Sequence, residues 1–437
     1  MKIKLVSSIS SFLILLGLSV MANGQGSGAV LGIPQGDRAS IFSTLAVRQA
    51  DLSGSNTQES SYFGYSVAAR GNTIVVGAPG YQSAESGQAG SVYVFVEPAT
   101  GWVNMLQTAE LSPSENAALN GFGYSVAIAD DTIFVGAPGT DQVYVFVKPA
   151  SGWQNMTETA IIQDQSTFSN DGFGNSVAVD SSGATLVVGA VYASPVAVFQ
   201  GAAYIFEKPL AGWTSTNTPV AELTASDAAA YDTIGNYVAV NGKTIVVGAA
   251  FKPTLIYYGA AYVFVEPGSG WTNMTETAKL TASSQLRNAE LGTSLSISGN
   301  TIVAGAPGPG PVSGNAYVFV EPSGGWKNST QTAQINAGNQ YEDAFGASVS
   351  LNGSLLAVGA SVANVGSNTA QGAAYLYAKP STGWTSTSKF NHEFTDKYGI
   401  QYDGVGFSVA LNRGTLIAGA PFAYNLSDVG YAYVFTF

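Results

Sequence analysis

Short hydrophobic runs separated by glycine, asparagine and proline recur along almost the whole chain. The stretch FGYSVAARGNTIVVGAPG, residues 63–80, contains two such runs, and a third run, SVYVFVE, follows at 91–97. Short runs of β-branched and aromatic residues bounded by turn-forming residues predict β-strands. Helical periodicity does not occur after the first 22 residues. The pattern therefore predicts an all-β fold.

This unit of sequence occurs seven times, with a fourth run such as TAELSPS closing each complete copy. The third run is followed by proline and then by Gly-Trp. The glycines of the Gly-Ala pair that closes the second run mark the repeat: Gly77, Gly136, Gly189, Gly248, Gly305, Gly359 and Gly419. Four strands in each of seven repeats predict a seven-bladed β-propeller.

The two ends of the chain predict how the ring closes. The seventh repeat stops after its third run, at Phe437, and the missing fourth run occurs at the other end, where residues 50–55 resemble residues 109–114. A closed ring in which the N-terminal strand completes the last blade accounts for both ends and removes an open sheet edge. We therefore assign residues 46–437 to the propeller and residues 23–45 to an N-terminal linker segment.

Residues 1–22 have the pattern of a secretory signal peptide. Lys2 and Lys4 precede an apolar run over 5–20, and Val20-Met21-Ala22 supplies small residues for cleavage. An uncleaved membrane anchor is the alternative, but the run is short for a span of about 20 residues. The sequence predicts a secreted or cell-envelope (periplasmic) protein without a membrane span after cleavage.

Composition narrows the choice of partners. Sixteen basic against 28 acidic residues give a net charge of −12, and removal of residues 1–22 makes it 14 − 28 = −14. Such an acidic protein is repelled by phosphate backbones, so we expect no nucleic-acid partner. The chain contains no cysteine, which excludes disulfides, thiolate metal sites and cysteine nucleophiles. We expect a monomer.

Two repeated features admit both a structural and a functional interpretation. The tryptophans of the Gly-Trp pairs either pack where strand 3 turns into strand 4 or form an exposed ring that stacks sugars. Four aspartates precede the first-run Phe-Gly position by two residues and either cap tight turns or line one channel mouth and hold a cation. The tryptophans are Trp102, Trp153, Trp213, Trp271, Trp326 and Trp384, and the aspartates are Asp171, Asp232, Asp343 and Asp403.

The connections between strands 2 and 3 are the predicted ligand-binding region, because they vary in length and carry apolar residues. Variable loops on a rigid scaffold are where binding tends to occur. The alternative is that these loops bury one another. The candidate ligand-binding residues are Tyr192, Phe199, Phe251, Tyr257, Tyr258, Phe422 and Tyr424.

Catalytic motifs are scarce. The only histidine, His392, is not accompanied by a GxSxG elbow, so we interpret it as a lone surface histidine. A carboxylate pair that hydrolyses glycosides is defined in space, and 28 acidic residues leave that alternative open. We expect no catalytic residues and no cofactor.

The spacing of FG and GAP, followed by an AYVF-type strand and Gly-Trp, resembles the FG-GAP repeat proteins over residues ~50–437. These are bacterial exported relatives of the seven-bladed propeller of integrin α chains, which binds calcium through DxDxDG loops between strands 1 and 2. The corresponding hairpins here lack alternating carboxylates, and Asp130-Asp131 and Asp180 are the nearest remnants. Calcium is therefore not carried over through those hairpins.

The resemblance implies adhesion, and the sequence as a whole predicts non-catalytic extracellular binding of a protein or glycan through the strand 2–3 connections. A secreted propeller enzyme acting on polysaccharide is one alternative. A structural surface component without a specific ligand is the other.

Overall fold

The computed structural model describes residues 48–80, 90–115, 121–164, 170–252, 257–284, 286–308, 314–338, 343–423 and 429–437. The described residues form seven antiparallel blades around a central channel, with no helix among them. The all-β, seven-bladed propeller predicted from the sequence is confirmed. Tyr424 and the signal and linker segments lie outside the described residues.

Strands are numbered in chain order. The innermost strands are β2 (Ser66–Arg70), β7 (Ser125–Ala129), β11 (Phe173–Val179), β15 (Val238–Asn241), β20 (Ser294–Ser298), β25 (Phe345–Asn352) and β29 (Ser408–Asn412). The second strands are β3 (Thr73–Ala78), β8 (Thr132–Ala137), β12 (Thr185–Ala190), β16 (Thr244–Ala249), β21 (Thr301–Ala306), β26 (Leu355–Ala360) and β30 (Thr415–Ala420).

The third strands are β4 (Ser91–Val96), β9 (Gln142–Val147), β13 (Ala202–Glu207), β17 (Ala260–Val265), β22 (Asn315–Val320), β27 (Ala373–Ala378) and β31 (Tyr431–Thr436). The outermost strands of blades 1 to 6 are β6 (Ala109–Leu111), β10 (Ala160–Gln163), β14 (Ala221–Thr224), β19 (Ala278–Thr281), β24 (Ala333–Ile335) and β28 (His392–Phe394). The outermost strand of blade 7 is β1 (Arg48–Ser53), and three two-residue strands, β5 (Met105–Leu106), β18 (Met274–Thr275) and β23 (Ser329–Thr330), lie outside this scheme.

Closure of the ring joins the two ends of the chain in one sheet. β1 pairs antiparallel with β31, with Ala50 opposite Val434 and Leu52 opposite Ala432. The N-terminal strand thus completes the last blade, as predicted. A closed ring protects the inner blade edges that would otherwise template further strand pairing.

Seven hydrophobic cores fill the seams between neighbouring blades. The second strands are buried along their length, as in Thr73–Ala78. The tryptophans are buried too, between 5% and 9% exposed, and each packs into the seam between its own blade and the preceding one. The packing interpretation of the tryptophans is confirmed, and they form no exposed sugar-stacking ring.

Hydroxyl groups of the innermost strands connect the blades around the channel. Ser66 Oγ donates a hydrogen bond of 2.8 Å to the carbonyl oxygen of Gly123 in the next blade. Four other blade junctions repeat this bond, through Ser125, Ser294, Ser348 and Ser408. The last of these, Ser408 to Gly64, crosses from the seventh blade to the first and ties the ring at its innermost layer.

Candidate functional site

Connections between strands 2 and 3, and those between strand 4 and the next blade, lie together on one face, which we call the loop face. They meet in pairs across the seams: the amide of Ile234 donates to the carbonyl of Gln200 at 2.7 Å, and that of Val405 to Gln371 at 2.9 Å. Tyr258 takes part in the same way, since its carbonyl accepts from the amide of Leu291 at 3.1 Å. At these three blade seams, two loops therefore form one surface.

The predicted residues of blades 3 and 4 lie on this surface. Tyr192 is 49% exposed, Phe199 42% and Phe251 36%, whereas Tyr257 and Tyr258 are half-buried. Phe199 contacts Tyr192 edge-on at a centroid distance of 5.8 Å, and Phe251 contacts Tyr257 at 5.4 Å. Within each loop, the aromatic rings thus pack against one another in part and still leave aromatic surface open to solvent.

A residue that the sequence reasoning missed, Tyr231, extends the first of these groups. Its ring lies 5.7 Å from that of Phe199 and is 52% exposed. It directly precedes Asp232, one of the singled-out aspartates, which was the available signal. We call Tyr192, Phe199 and Tyr231 the blade 3–4 aromatic cluster.

Phe422 belongs to a second group, around the channel mouth. It contacts Phe407 at 5.5 Å and Tyr62 at 5.9 Å, both edge-on. Phe407 in turn lies 4.9 Å from Tyr65, which lies 4.9 Å from Tyr124. These five rings form an arc across blades 7, 1 and 2, which we call the mouth arc.

The other four blades place non-aromatic residues at the position of Tyr65, namely Asn175, Asn236, Thr293 and Ala347. Asn175 Nδ2 donates to the carbonyl of Asn236 at 3.0 Å, so this side of the mouth is polar. A sevenfold scaffold therefore carries an asymmetric channel mouth.

A cavity of about 420 Å³ opens beside the mouth arc at the seam between blades 6 and 7. Gly404 provides part of its room, because a Cβ there would lie 2.9 Å from Phe422 Cδ2. Tyr402 stands at the rim, 55% exposed, and Val362 is 43% exposed. The lining residues of this blade 6–7 cavity are Ser361, Val362, Ala370, Tyr402, Gly404, Phe407 and Phe422.

Aromatic residues of the loop face adopt a backbone conformation that is costly for them. Fifteen described non-glycine residues have positive φ, and all five aromatic ones are on this face. A left-handed conformation costs an L-residue about 1–2 kcal/mol, and such strain tends to be kept where function requires it. The five are Tyr62, Phe199, Tyr231, Tyr257 and Tyr402, with φ between 50° and 67°.

In other blades, the equivalent left-handed turn position is occupied by a small polar residue instead of an aromatic one. The position before the aspartate, filled by Tyr231 and Tyr402 in blades 4 and 7, is also left-handed at Ser60, Asn170 and Asn288. Asparagine tolerates this conformation better than bulky residues do. The two tyrosines thus replace residues better suited to the turn and expose their rings, which points to a surface role.

The four predicted aspartates are buried, at 0% to 3% exposure, and act within their turns. Asp171 Oδ1 accepts the amide of Phe173 at 2.9 Å, and Asp343 Oδ1 accepts that of Phe345 at 3.1 Å. Asp232 Oδ2 accepts the amide of Ala229 at 2.7 Å. Asp403 Oδ2 accepts the amide of Ile400 at 2.6 Å. Each aspartate therefore makes the turn cap that the structural interpretation predicts.

Two of these aspartates have opposite electrostatic surroundings. Lys252 Nζ, itself buried, forms an ion pair with Asp232 Oδ2 and lies 3.4 Å from Asp227 Oδ1. Asp171, one blade earlier, faces Asp164 instead. Burial, the hydrogen bond to Asp164 and its charge raise the pKa of Asp171 to about 8. One carboxyl of this pair must carry a proton to donate to the other.

In the hairpins between strands 1 and 2, where the integrin relatives bind calcium, the acidic residues form hydrogen bonds and ion pairs with groups of the protein. Asp180 accepts the amides of Ser182, Ala184 and Thr185; burial opposes ionisation, but these hydrogen bonds hold the pKa of Asp180 below its ordinary value. Asp130 pairs with Arg70 at 3.7 Å, and Asp131 with Lys148 at 3.3 Å. Within the described ranges, no three His, Asp or Glu residues are grouped so that they could bind a metal ion.

His392 lies on the outermost strand of blade 6. It is half-buried, and its ring is 4.5 Å from that of Phe394. Burial lowers the pKa of His392, and the Glu393 carboxylate acts in the opposite direction.

Comparison with protein-family models identifies the repeat. The FG-GAP repeat model matches residues 47–95, 105–146, 156–206, 218–264, 274–319 and 330–377, which together span more than half of the chain. A comparison with curated proteins found no similar sequence. With seven blades built from FG and GAP strands, this chain belongs to the FG-GAP repeat family.

Proposed function

We propose that this propeller is a non-catalytic extracellular binding domain that recognises a protein partner through its loop face. FG-GAP propellers are typical of extracellular binding and adhesion proteins. The observation that carries the proposal is the set of aromatic side chains held in left-handed backbone on the loop face, one of which, Tyr402, lines the blade 6–7 cavity. Strain of this kind is retained when the exposed ring is useful.

The chemistry of the cavity favours an apolar side chain as its occupant. None of the seven residues that line it carries a carboxylate, an amide or a guanidinium group. Sugar hydroxyl groups require such partners, whereas an aromatic or aliphatic anchor of a protein requires a desolvated apolar pocket. Protein interfaces are also enriched in tyrosine, as this face is.

A polysaccharide-cleaving enzyme needs a carboxylic acid that reaches its substrate. Asp171 has the raised pKa expected of a general acid. Its side chain is only 2% exposed, however, and its Oδ1 accepts the amide of Phe173. It therefore acts on its own turn, and we propose that binding proceeds without turnover.

Export completes the proposal. Within the described residues, no helix has the length and apolar character needed to cross a membrane. We propose that residues 1–22 direct secretion and are removed, so that the propeller works outside the cell or in its envelope. N-terminal sequencing of the exported protein should begin near residue 23, and a retained Met1 would contradict cleavage.

The binding proposal is tested by screening the purified protein against a displayed library of random peptides and, in parallel, a glycan array and a polysaccharide-release assay. We expect peptides with an apolar or aromatic anchor. Val362→Asp, which places a charge at the cavity rim, should weaken their retention at least about tenfold. Leu210→Asp, a matched change at a fully exposed site on the opposite face, should have no effect.

Retention of glycans without peptide selection would contradict the protein partner. Release of sugar would contradict the non-catalytic role. Equal losses of peptide retention in Val362→Asp and Leu210→Asp would contradict the assignment of peptide binding to the loop face.

A further inference from the structure

In six places around the ring, an outermost strand is covered along its outer edge by the next blade. The segment that follows each tryptophan runs parallel to that strand, as in Leu52 opposite Met105 and Ile162 opposite Thr216. A side chain of the segment also accepts one edge amide at 2.8–3.0 Å. These acceptors are Asn104, Asn155, Ser215, Asn273, Asn328 and Ser386. We call this arrangement the edge cover.

Blade 6 lacks this cover in the described part of the chain. The sheet of blade 6 ends at β28 (His392–Phe394), and no described residue pairs with its outer edge. The reason lies in the closure, because the outermost strand of blade 7 is β1. The covering segment would have to precede Arg48 in sequence.

The adjoining hydrophobic core shows a second deficit at the same seam. Six of the seven seam cores contain one tryptophan, but the core between blades 6 and 7 contains none among its described residues. A cavity of about 470 Å³ lies at the outer side of this seam. It is lined by residues of both blades, including Gln49, Asp51, His392, Phe394 and Phe435.

The sequence before β1 matches the missing element in register. FSTLAVRQADL, residues 42–52, aligns without a gap to WTSTNTPVAEL, residues 213–223, and to WTSTSKFNHEF, residues 384–394. Phe42 then falls at the position of Trp213 and Trp384, and Thr44 at that of Ser215 and Ser386. An aromatic ring and a hydroxyl thus stand at the spacing that the edge cover uses.

We propose that residues 42–47 dock on β28 as the seventh edge cover. Phe42 fills the seam where the other blades have tryptophan, and Thr44 Oγ accepts the amide of Glu393. Leu45 exchanges backbone hydrogen bonds with Glu393 and Thr395, as Thr216 does with Ile161 and Gln163. The propeller then begins at Phe42, and part of the predicted linker belongs to the fold.

Amide hydrogen exchange of the whole protein tests the proposal residue by residue. We expect slow exchange at Glu393 and Thr395, and about tenfold or more faster exchange at both in Phe42→Ala and Thr44→Ala. Thr44→Ser should retain the protection. Ser43→Ala is the matched control, because its counterpart Thr214 is exposed and caps nothing.

Fast exchange at Glu393 and Thr395 in the unmodified protein would overturn the proposal, as would protection that Phe42→Ala leaves unchanged. Protection that depends on protein concentration and coincides with a dimer would assign the edge to the segment of a second copy and overturn the intramolecular docking. A peptide of residues 40–48 added in excess should restore protection to Phe42→Ala.

Discussion

Gly77 lies against the backbone of Gly123 in the next blade, and a Cβ built on Gly77 would stand 2.1 Å from the Gly123 carbonyl oxygen. A Cβ built on any of the six other glycines of the Gly-Ala pairs would stand 1.9–2.1 Å from the carbonyl oxygen of the Phe-Gly glycine, or its counterpart, in the following blade. The Phe-Gly glycine and the Gly-Ala glycine that mark each repeat thus contact each other across the seam between two blades, and this contact recurs seven times around the channel.

Replacement of Gly77 by alanine should therefore separate two blades. Because the clash is with backbone, which cannot rotate away, we expect Gly77→Ala to lower the free energy of unfolding by about 3 kcal/mol. Gly268→Ala is the control, since nothing lies within 4 Å of its Cβ. Denaturant unfolding of both variants measures the difference, and equal stabilities would contradict the contact.

Tyr402→Asn should separate stability from binding. Asparagine occupies the same left-handed turn position at Asn170 and Asn288, so the backbone accepts it with less strain. We expect an unchanged or higher melting temperature and at least about tenfold weaker binding of a peptide ligand. A large loss of stability would show that the Tyr402 ring is part of the fold rather than part of the binding surface.

Asp171→Asn should alter how stability depends on pH. The folded-state pKa of Asp171, about 8, lies above its ordinary value of 3.8, so the folded state retains a proton that the unfolded state releases between these values. The contribution of this proton to the free energy of unfolding is therefore lost as pH rises from about 4 to about 8.

The side-chain amide that this substitution introduces can donate to Asp164 without a titrating proton, and its oxygen can still accept the amide of Phe173. We expect the variant to be more stable at pH 8, on the order of 2 kcal/mol, with little difference at pH 4. Thermal unfolding across this range is the measurement. A constant difference between the two proteins at all pH values would contradict proton retention at this site.

The buried ion pair of blade 4 should show strong coupling. Asp232→Asn leaves the Lys252 ammonium group buried with a weaker partner, and we expect a loss of about 3 kcal/mol. Lys252→Ala, which introduces the alanine found at Ala193 and Ala363, should likewise destabilise by leaving the Asp232 carboxylate unpaired.

The double variant should recover part of either loss, because no unpaired charge remains. Additive losses in the double-mutant cycle would contradict direct coupling between Asp232 and Lys252.

The sequence predicted the parts of the candidate site that lie within one repeat. Phe199 and Phe422 were found because they are apolar residues in a variable connection. Tyr402 and Phe407 were not, because each belongs to a segment that resembles its counterparts in the repeat. Their importance follows from the meeting of two blades at the blade 6–7 cavity, which no single repeat encodes.

The electrostatic partners of the buried aspartates could not be predicted from a single repeat either. Asp171 and Asp232 stand at equivalent positions of the repeat and look alike in sequence. Their partners, Asp164 and Lys252, lie in different connections, and only the packed turns decide that one aspartate faces a carboxyl and the other an ammonium group.

By itself, the sequence determined the seven blades and the closure through the N-terminal strand. These follow from short-range periodicity, which is repeated seven times and so reinforces itself. Only the tertiary structure decided which loops share a surface, which aromatic rings stay exposed and which buried charges are neutralised. Those outcomes depend on contacts that differ from one blade seam to the next, so they leave no periodic trace in the chain.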